Sequence, residues 1–367
     1  TVRGGFQLAT RAPNIAELFT APTQQVVGHP DQDNCSVTTL APHGNVPSNP
    51  DRQKVIDLCR AIIGNSTSGF DTQTYSITGI SGPEGFHRQN PPFFPLEIAL
   101  RQGNPNVGPE EGETITFGAV VSDPFGLDGL TVTVDYYDIS LTDTINPLNV
   151  QTVYDACFNA NGSSNPTYDV NNPRCQQIRR NPFTGDREEV DTPFDNLGTL
   201  ATQGIDLTVN YNMDIGPGSL AVNSTMNFLD SFEYQLAPGD RVVDASGTLD
   251  QGGLYDFQAL TRFNYFWGDF NVGMSWRHLA SADSAAASLS PNTTIQGPGS
   301  YDVFNVNGGY NFGENYSLRF GIDNLFDEDA ELTNANPAGG DTNTDQTNAA
   351  LYDLLGRRYF VGLRVSF

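Results

Sequence analysis

Positive charge is scarce in this sequence: 18 Lys and Arg stand against 43 Asp and Glu, for a formal net charge of −25. Clustered cations are what displaces counterions from phosphates, so this balance argues against a nucleic-acid partner. Charge of either sign is thin, at 17% of 367 residues, while aromatics reach 11%, which separates the chain from acidic disordered tails. No run approaches the ~18 consecutive apolar residues of a membrane-spanning helix, and the mean hydropathy is −0.36. That absence does not bear on a β-barrel, whose lipid-facing residues occupy only every second position. The opening TVRGGFQLAT carries neither an initiator Met nor a basic and apolar leader, which is uninformative about destination.

Signatures of chemistry are missing too. His29, His43, His87 and His278 form no HExxH and no His/Cys metal spacing, and GxSxG, GxGxxG and GxxxxGK[ST] do not occur. The expectation is therefore a protein that is not an enzyme and has no cofactor or metal. Asp341, Asn343 and Asp345 begin like a calcium loop, yet Gln346 stands where Gly is needed and Tyr352 where the bidentate Glu would be. A solvated acidic loop explains them better.

Four cysteines are present, and neither Cys35 with Cys59 nor Cys157 with Cys175 has the close spacing of a zinc site. Two local disulfides, Cys35 to Cys59 and Cys157 to Cys175, are the preferred reading over buried thiols, and they imply an oxidising compartment. Both fall in Pro-, Asn- and Gly-rich stretches, where each crosslink would contribute about 3 kcal/mol on the loop-closure model.

Alternation with period two is strong and repeated. In the last segment Tyr359, Val361, Leu363, Val365 and Phe367 share one face, with Arg358, Gly362, Arg364 and Ser366 on the other. Tyr316 to Ile322, Phe304 to Phe312, Phe270 to Trp276, Phe257 to Tyr265, Leu220 to Phe228 and Ile205 to Met213 repeat the pattern, with Asn, Thr, Ser, Gln and Arg between the apolar residues. Leu130 to Tyr136, Ile115 to Val121 and Val2 to Leu8 complete ten predicted strands. Their connections alternate in length. Short ones fall at Asp123 to Gly129, Asp214 to Gly218, Trp267 to Asp269 and Gly313 to Asn315, rich in the residues tight turns demand. Long ones run roughly over residues 11 to 111, 141 to 200, 230 to 254, 279 to 299 and 327 to 353. All long loops thus leave one end of the sheet and all short turns the other. A soluble sandwich has no reason for that segregation, whereas an outer-membrane barrel has short periplasmic turns and long external loops. Tyr265, Trp267, Tyr310, Phe312, Tyr316 and Phe367 gather at the short-turn end, as an interfacial girdle would.

Several segments now carry a resemblance. RAPNIAELF (Arg11 to Phe19), GNPNVGPEEGETITFGAVVSDP (Gly103 to Pro124), VDYYDISLTDTI (Val134 to Ile145), NLFD (Asn324 to Asp327) and LYDLLGRRYFVGLRVSF (Leu351 to Phe367) resemble TonB-dependent outer-membrane receptors. The likeness implies an all-β, transmembrane, antiparallel up-and-down barrel of 22 strands filled by an N-terminal plug. Residues 1–367 would supply the last ten strands of that barrel domain, without the plug, the earlier strands or a TonB box. It also implies an importer of a scarce nutrient (siderophore, vitamin or oligosaccharide) in the outer membrane of a Gram-negative bacterium. The implied partners are the TonB energy-transducing complex acting through the plug, outer-membrane lipid, a small-molecule ligand, and the barrel-assembly machinery reading Tyr359, Gly362, Val365 and Phe367. The alternative is a complete ten-stranded passive porin or surface adhesin.

Ligand capture would fall to the long loops. Their aromatics Tyr75, Phe86, Phe93, Phe94, Tyr154, Phe158, Tyr168, Phe183, Tyr234 and Tyr255, set among amides, suit stacking on sugars or aromatic chelates. A small core holding the loops together would use the same residues. An anionic chelate would need Arg52, Arg60, Arg88, Arg101, Arg174, Arg179 and Arg180 to focus positive charge locally.

Overall fold

The computed structural model describes residues 1–28, 33–36, 39, 41–63, 96–180, 187–238, 241–249, 253–284, 287–288, 296–330 and 351–366. In chain order its strands are β1 (Val2–Arg11), β2 (Thr23–Gly28), β3 (Leu96–Gln102), β4 (Glu110–Ser122), β5 (Leu130–Pro147), β6 (Ile178–Arg180), β7 (Arg187–Ile215), β8 (Gly218–Gln235), β9 (Val243–Asp244), β10 (Phe257–Trp267), β11 (Phe270–Leu279), β12 (Tyr301–Phe312), β13 (Tyr316–Asp323) and β14 (Arg358–Val365). Among the described residues four α-helices lie between them: α1 (Ile15–Phe19), α2 (Arg52–Ile63), α3 (Val150–Cys157) and α4 (Pro173–Gln176).

The main sheet follows the order β1-β4-β5-β7-β8-β10-β11-β12-β13-β14, each neighbour antiparallel. These are the ten strands expected from the alternation, joined as an up-and-down meander. The turn between β10 and β11 has Trp267 paired with Phe270, leaving Gly268 in the left-handed region at φ 55°, where a side chain would be strained. Gly216 does the same between β7 and β8 at φ 58°. Among the described residues β1 and β14 are the two edges of an open sheet and do not pair with each other. A closed ten-stranded barrel would require a β1 to β14 ladder, and the described residues form none.

The two faces of the sheet differ in chemistry. One exposes Phe6, Leu8, Phe117, Val272, Phe320, Val361 and Leu363. Near the short turns this face carries an aromatic file: Phe270 lies 4.2 Å from Tyr310, Tyr310 lies 5.8 Å from Phe312, and Phe312 lies 5.5 Å from Tyr316, ring centre to ring centre. The other face holds polar cross-strand pairs. Asn223 Nδ2 donates to Asn210 Oδ1 at 2.5 Å, Asn227 Nδ2 to Asp206 Oδ1 at 2.9 Å, and Asn305 Nδ2 to Ser275 Oγ at 3.1 Å. Toward the long loops the apolar face itself turns polar: Trp276 Nε1 donates to Asp302 Oδ1 at 2.6 Å, and His278 Nδ1 lies 2.8 Å from the same oxygen. The strands therefore run past the apolar band.

Among the described residues the α-helices lie in the long loops, where they build a second, compact body. In α2, Val55, Ile56, Cys59 and Ile63 are buried at helical spacing, and α3 buries Val150, Val153, Tyr154 and Cys157. Together with Leu58, Phe158, Ile178, Val190 and Leu197 they form one apolar cluster. A small sheet backs it: β2 pairs with β3, β3 runs parallel to β7, and β6 pairs with β7. β7 belongs to both bodies because it is 29 residues long.

Candidate functional site

The two disulfides form as expected, Cys35 with Cys59 and Cys157 with Cys175. Three of their four sulfur-bearing residues are fully buried and Cys175 nearly so, all in the same cluster, so each crosslink pins a loop to a common core. At the base of that core lies a charge pair. Arg180 Nη1 and Nη2 donate to Asp33 Oδ2 and Oδ1 at 2.9 and 2.6 Å, and neither side chain is accessible. Burial works to lower the guanidinium pKa, but the Asp33 carboxylate together with Tyr154 and Glu97 outweighs it and holds Arg180 above its ordinary value.

The segments that carry the family resemblance also meet here. Asn14 caps α1 by accepting from the Glu17 N–H at 2.9 Å, while the Glu17 carboxylate accepts from the Asn14 N–H at 2.8 Å. Arg11 ties Glu17 to the rim, with Nη2 3.1 Å from Glu17 Oε1 and Nε 2.6 Å from Glu110 Oε2. Asn104 donates its backbone N–H to Glu17 O at 2.8 Å and its side chain to Phe194 O at 2.9 Å. RAPN-x-x-E, the Asn104-Pro105 pair and Glu110 are thus one clasp holding the first long loop to β7. In NLFD, Asn324 is fully buried at φ 51° and exchanges bonds with Glu328, accepting from its N–H and donating to its carbonyl, both at 2.8 Å. These motifs order the loop bases.

Two adjoining cavities open at the long-loop end. The larger, about 610 Å³, lies among Asp155, Asn161, Ser164, Asn172, Arg174 and Asp195, with Ala237 and Pro238 opposite. The smaller, about 350 Å³, is lined by Asn146, Asn149, Leu200, Phe232, Tyr234 and Leu236. Thr152 borders both. Their walls come from α3, whose N-cap Asn149 accepts from the Gln151 N–H at 2.8 Å, from the Cys157–Cys175 loop, and from the long-loop ends of β7 and β8. The charged side chains of the larger cavity each have a partner. Arg174 Nη2 meets Asp195 Oδ2 at 2.9 Å, Gln151 Nε2 donates to Asp155 Oδ1 at 2.8 Å, and His43 Nε2 stands 3.1 Å from that oxygen.

The candidate aromatics divide. Tyr234 lines the smaller cavity. Tyr154 and Phe158 are fully buried in the loop core and stack at 6.2 Å, so they present no face to a ligand. Tyr168 packs against the same core, with Lys54 Nζ 5.5 Å above its ring, and burial raises its phenol pKa. Tyr255 belongs to a second cluster with Leu249, Leu279, Tyr301, Val303 and Tyr352, its hydroxyl 2.8 Å from that of Tyr352, and burial pushes its phenol up. Tyr75, Phe86, Phe93, Phe94 and Phe183 lie outside the described residues, as do Arg88, the acidic run at Asp341 to Asp345, and Phe367. The arginines expected to focus positive charge are mostly spent on partners: Arg179 Nη1 is 3.5 Å from Glu189 and its Nη2 2.8 Å from Asp191, and Arg60 lies 3.6 Å from Asp57. Of the positions expected to form an assembly signal, Tyr359 and Val365 are exposed on β14, and a Cβ at Gly362 would meet nothing within 4 Å.

A family model described as TonB dependent receptor-like, beta-barrel, matches residues 1–325. Among solved structures, a mutant of the ferric enterobactin receptor PfeA from Pseudomonas aeruginosa covers the whole of this chain at 13% identity and a TM-score of 0.56, over 38% of its own length. The siderophore receptor PirA from Acinetobacter baumannii covers the whole chain at 13% identity and a TM-score of 0.51, over 39% of its own length. At that identity the likeness is one of fold, and the chain spans well under half of either receptor. No curated protein matches it in sequence.

Proposed function

The chain belongs to the TonB-dependent receptor-like β-barrel family, and from that membership we propose that it forms part of the wall of an outer-membrane receptor that imports a scarce nutrient with energy delivered through TonB. The observation that carries this reading is the sheet itself: one face is apolar and exposed, the other is a ladder of hydrogen-bonded amides, and all the long loops leave the same end. Such a sheet is stable where lipid wets one side and water the other. Lipid tolerates no unpaired backbone, so β1 and β14 are completed by further strands of the same barrel. The long-loop end faces outward and takes the ligand. The polar face looks into the lumen, around a plug on which TonB pulls. Tyr359, Gly362 and Val365 on the last strand, with Phe367, are read by the barrel-assembly machinery.

No bond needs to be made or broken in this role. The work is capture, followed by a change of the lumen from closed to open. The test is accumulation of radiolabelled nutrient in cells carrying the full-length receptor, with and without TonB. Surface binding persists and accumulation stops when TonB is deleted; accumulation that continues without TonB would identify a passive pore.

A further inference from the structure

The paired cavities at the long-loop end have a lining that selects among ligand classes. Recognition of a multiply anionic chelate rests on unopposed Arg and Lys side chains that make charge-assisted hydrogen bonds to it. The larger cavity has the opposite balance. Its described lining holds two carboxylates, Asp155 and Asp195, and one guanidinium, Arg174. Arg174 is already engaged, Nη2 with Asp195 at 2.9 Å and Nη1 with Gln177 Oε1 at 3.4 Å. An anion entering here would meet two carboxylates and would have to take Arg174 away from Asp195.

What the walls offer instead is acceptors, hydroxyls and ring faces. Asp155 and Asp195 can accept from ligand hydroxyls, and Thr152 and Ser164 supply hydroxyl groups that donate or accept. In the adjoining cavity Phe232 and Tyr234 are half-buried, so each ring is held by its surroundings and still reachable. Aromatic faces carry negative potential, which suits the polarised C–H groups of a pyranose ring packed flat against them. Volumes of about 610 and 350 Å³, side by side with Thr152 on the border of both, suit a ligand longer than one ring.

We propose that this double cavity binds an uncharged, polyhydroxylated saccharide, with its hydroxyls on Asp155 and Asp195 and a ring face on Phe232 and Tyr234. The proposal rests on the reading of the long-loop end as the external, ligand-capturing end of an importer. It names the ligand that reading leaves open.

The experiment uses the full-length receptor in detergent. Calorimetric titration compares neutral gluco-, manno- and xylo-oligosaccharides of several units with a trianionic ferric tris-catecholate. At least one oligosaccharide binds, and Tyr234→Ala weakens it about tenfold or more, as loss of a stacked ring should. Tyr234→Phe keeps the ring and stays near the wild-type affinity, which separates lost stacking from a disturbed fold. Asp195→Asn weakens the sugar and, by releasing Arg174, strengthens the tris-catecholate. Tighter binding of the tris-catecholate than of every oligosaccharide, no oligosaccharide binding at all, or sugar affinity indifferent to Tyr234→Ala would each overturn the proposal. TonB-dependent uptake of a chelate with no sugar binding would refute the ligand class and leave the importer standing. Sugar binding with TonB-independent uptake would do the reverse.

Discussion

The sheet and the loop body solve the folding problem in different ways. The loop body resembles a small water-soluble protein: apolar side chains at helical spacing, a buried cluster, two disulfides and one inaccessible ion pair. The sheet is inverted. Its large apolar groups are exposed, Val361 at 77% and Leu363 at 62%, and its ordered polar pairs line the opposite face. The sheet takes its stability from strand pairing and from solvents that differ on its two sides, whereas the loop body carries its own. The two should therefore fail independently, although they share β7.

The sharpest way to break one without the other is to remove both crosslinks. Replacing Cys35, Cys59, Cys157 and Cys175 by Ala should cost about 3 kcal/mol per disulfide, all of it in the loops. Hydrogen exchange should show the loop amides opening, while the heat-modifiable gel migration of the full-length barrel is retained. Next comes the buried ion pair: Asp33→Ala removes the two-pronged carboxylate partner of the buried Arg180 and should cost about 3–5 kcal/mol. Limited proteolysis should then cut near α2, and Asp33→Leu combined with Arg180→Met should restore protection.

The sheet is broken by the complementary experiment. Met274 and Ser275 are neighbours on β11 and face opposite sides. Met274→Arg should cost about 2–4 kcal/mol near the bilayer midplane, measured by urea unfolding from lipid vesicles, while Ser275→Arg changes little. The smallest effect is on pH. A hydrogen bond from Arg358, Nη1 to Oδ1 at 2.8 Å, holds the Asp353 carboxyl below the usual carboxylate range. A depressed carboxylate stabilises the folded loop above its unfolded pKa, and that contribution is lost as pH falls through the folded value. Exchange protection around residues 351–357 should therefore hold through mild acid and decline only below the ordinary aspartate value of 3.8 in the native receptor, and lose that pH dependence in Asp353→Asn.

What could be read from the residues follows the same division. Period two marks every strand of the main sheet, because one face must be apolar along its whole length in lipid. It does not mark where strands end. β7 begins at Arg187, not near residue 200, because its first part pairs with β6, β3 and the end of β5 outside the apolar band, where Val190 and Leu197 are buried by the loop core and not by lipid. The loop body was legible only in part. Cys35, Cys59, Cys157 and Cys175 pair locally as their grouping suggests. Of the two uses open to the loop aromatics, ligand capture or a loop core, Tyr154 has the second, and Val150, Val153, Tyr154 and Cys157 have the spacing of a buried helix face. Tyr255 carries no such signal, since its cover comes from Tyr352, 97 residues away. Nothing local in the sequence distinguishes Asp155 and Asp195, which line the cavity, from solvated carboxylates. The clasp of Arg11, Glu17 and Glu110 was visible as a motif, and its bridging role appears only when the two ends of the first long loop are brought together.

The central claim is that one sheet separates lipid from a water-filled path. Nitroxide labels placed one at a time at positions 270 to 278, along β11, test it most directly in the full-length receptor in outer-membrane vesicles. Collisions with oxygen should peak at 270, 272, 274 and 276, and collisions with a water-soluble nickel complex at 271, 273, 275 and 277. Accessibility that fails to alternate, or that alternates in the opposite phase, would contradict the account.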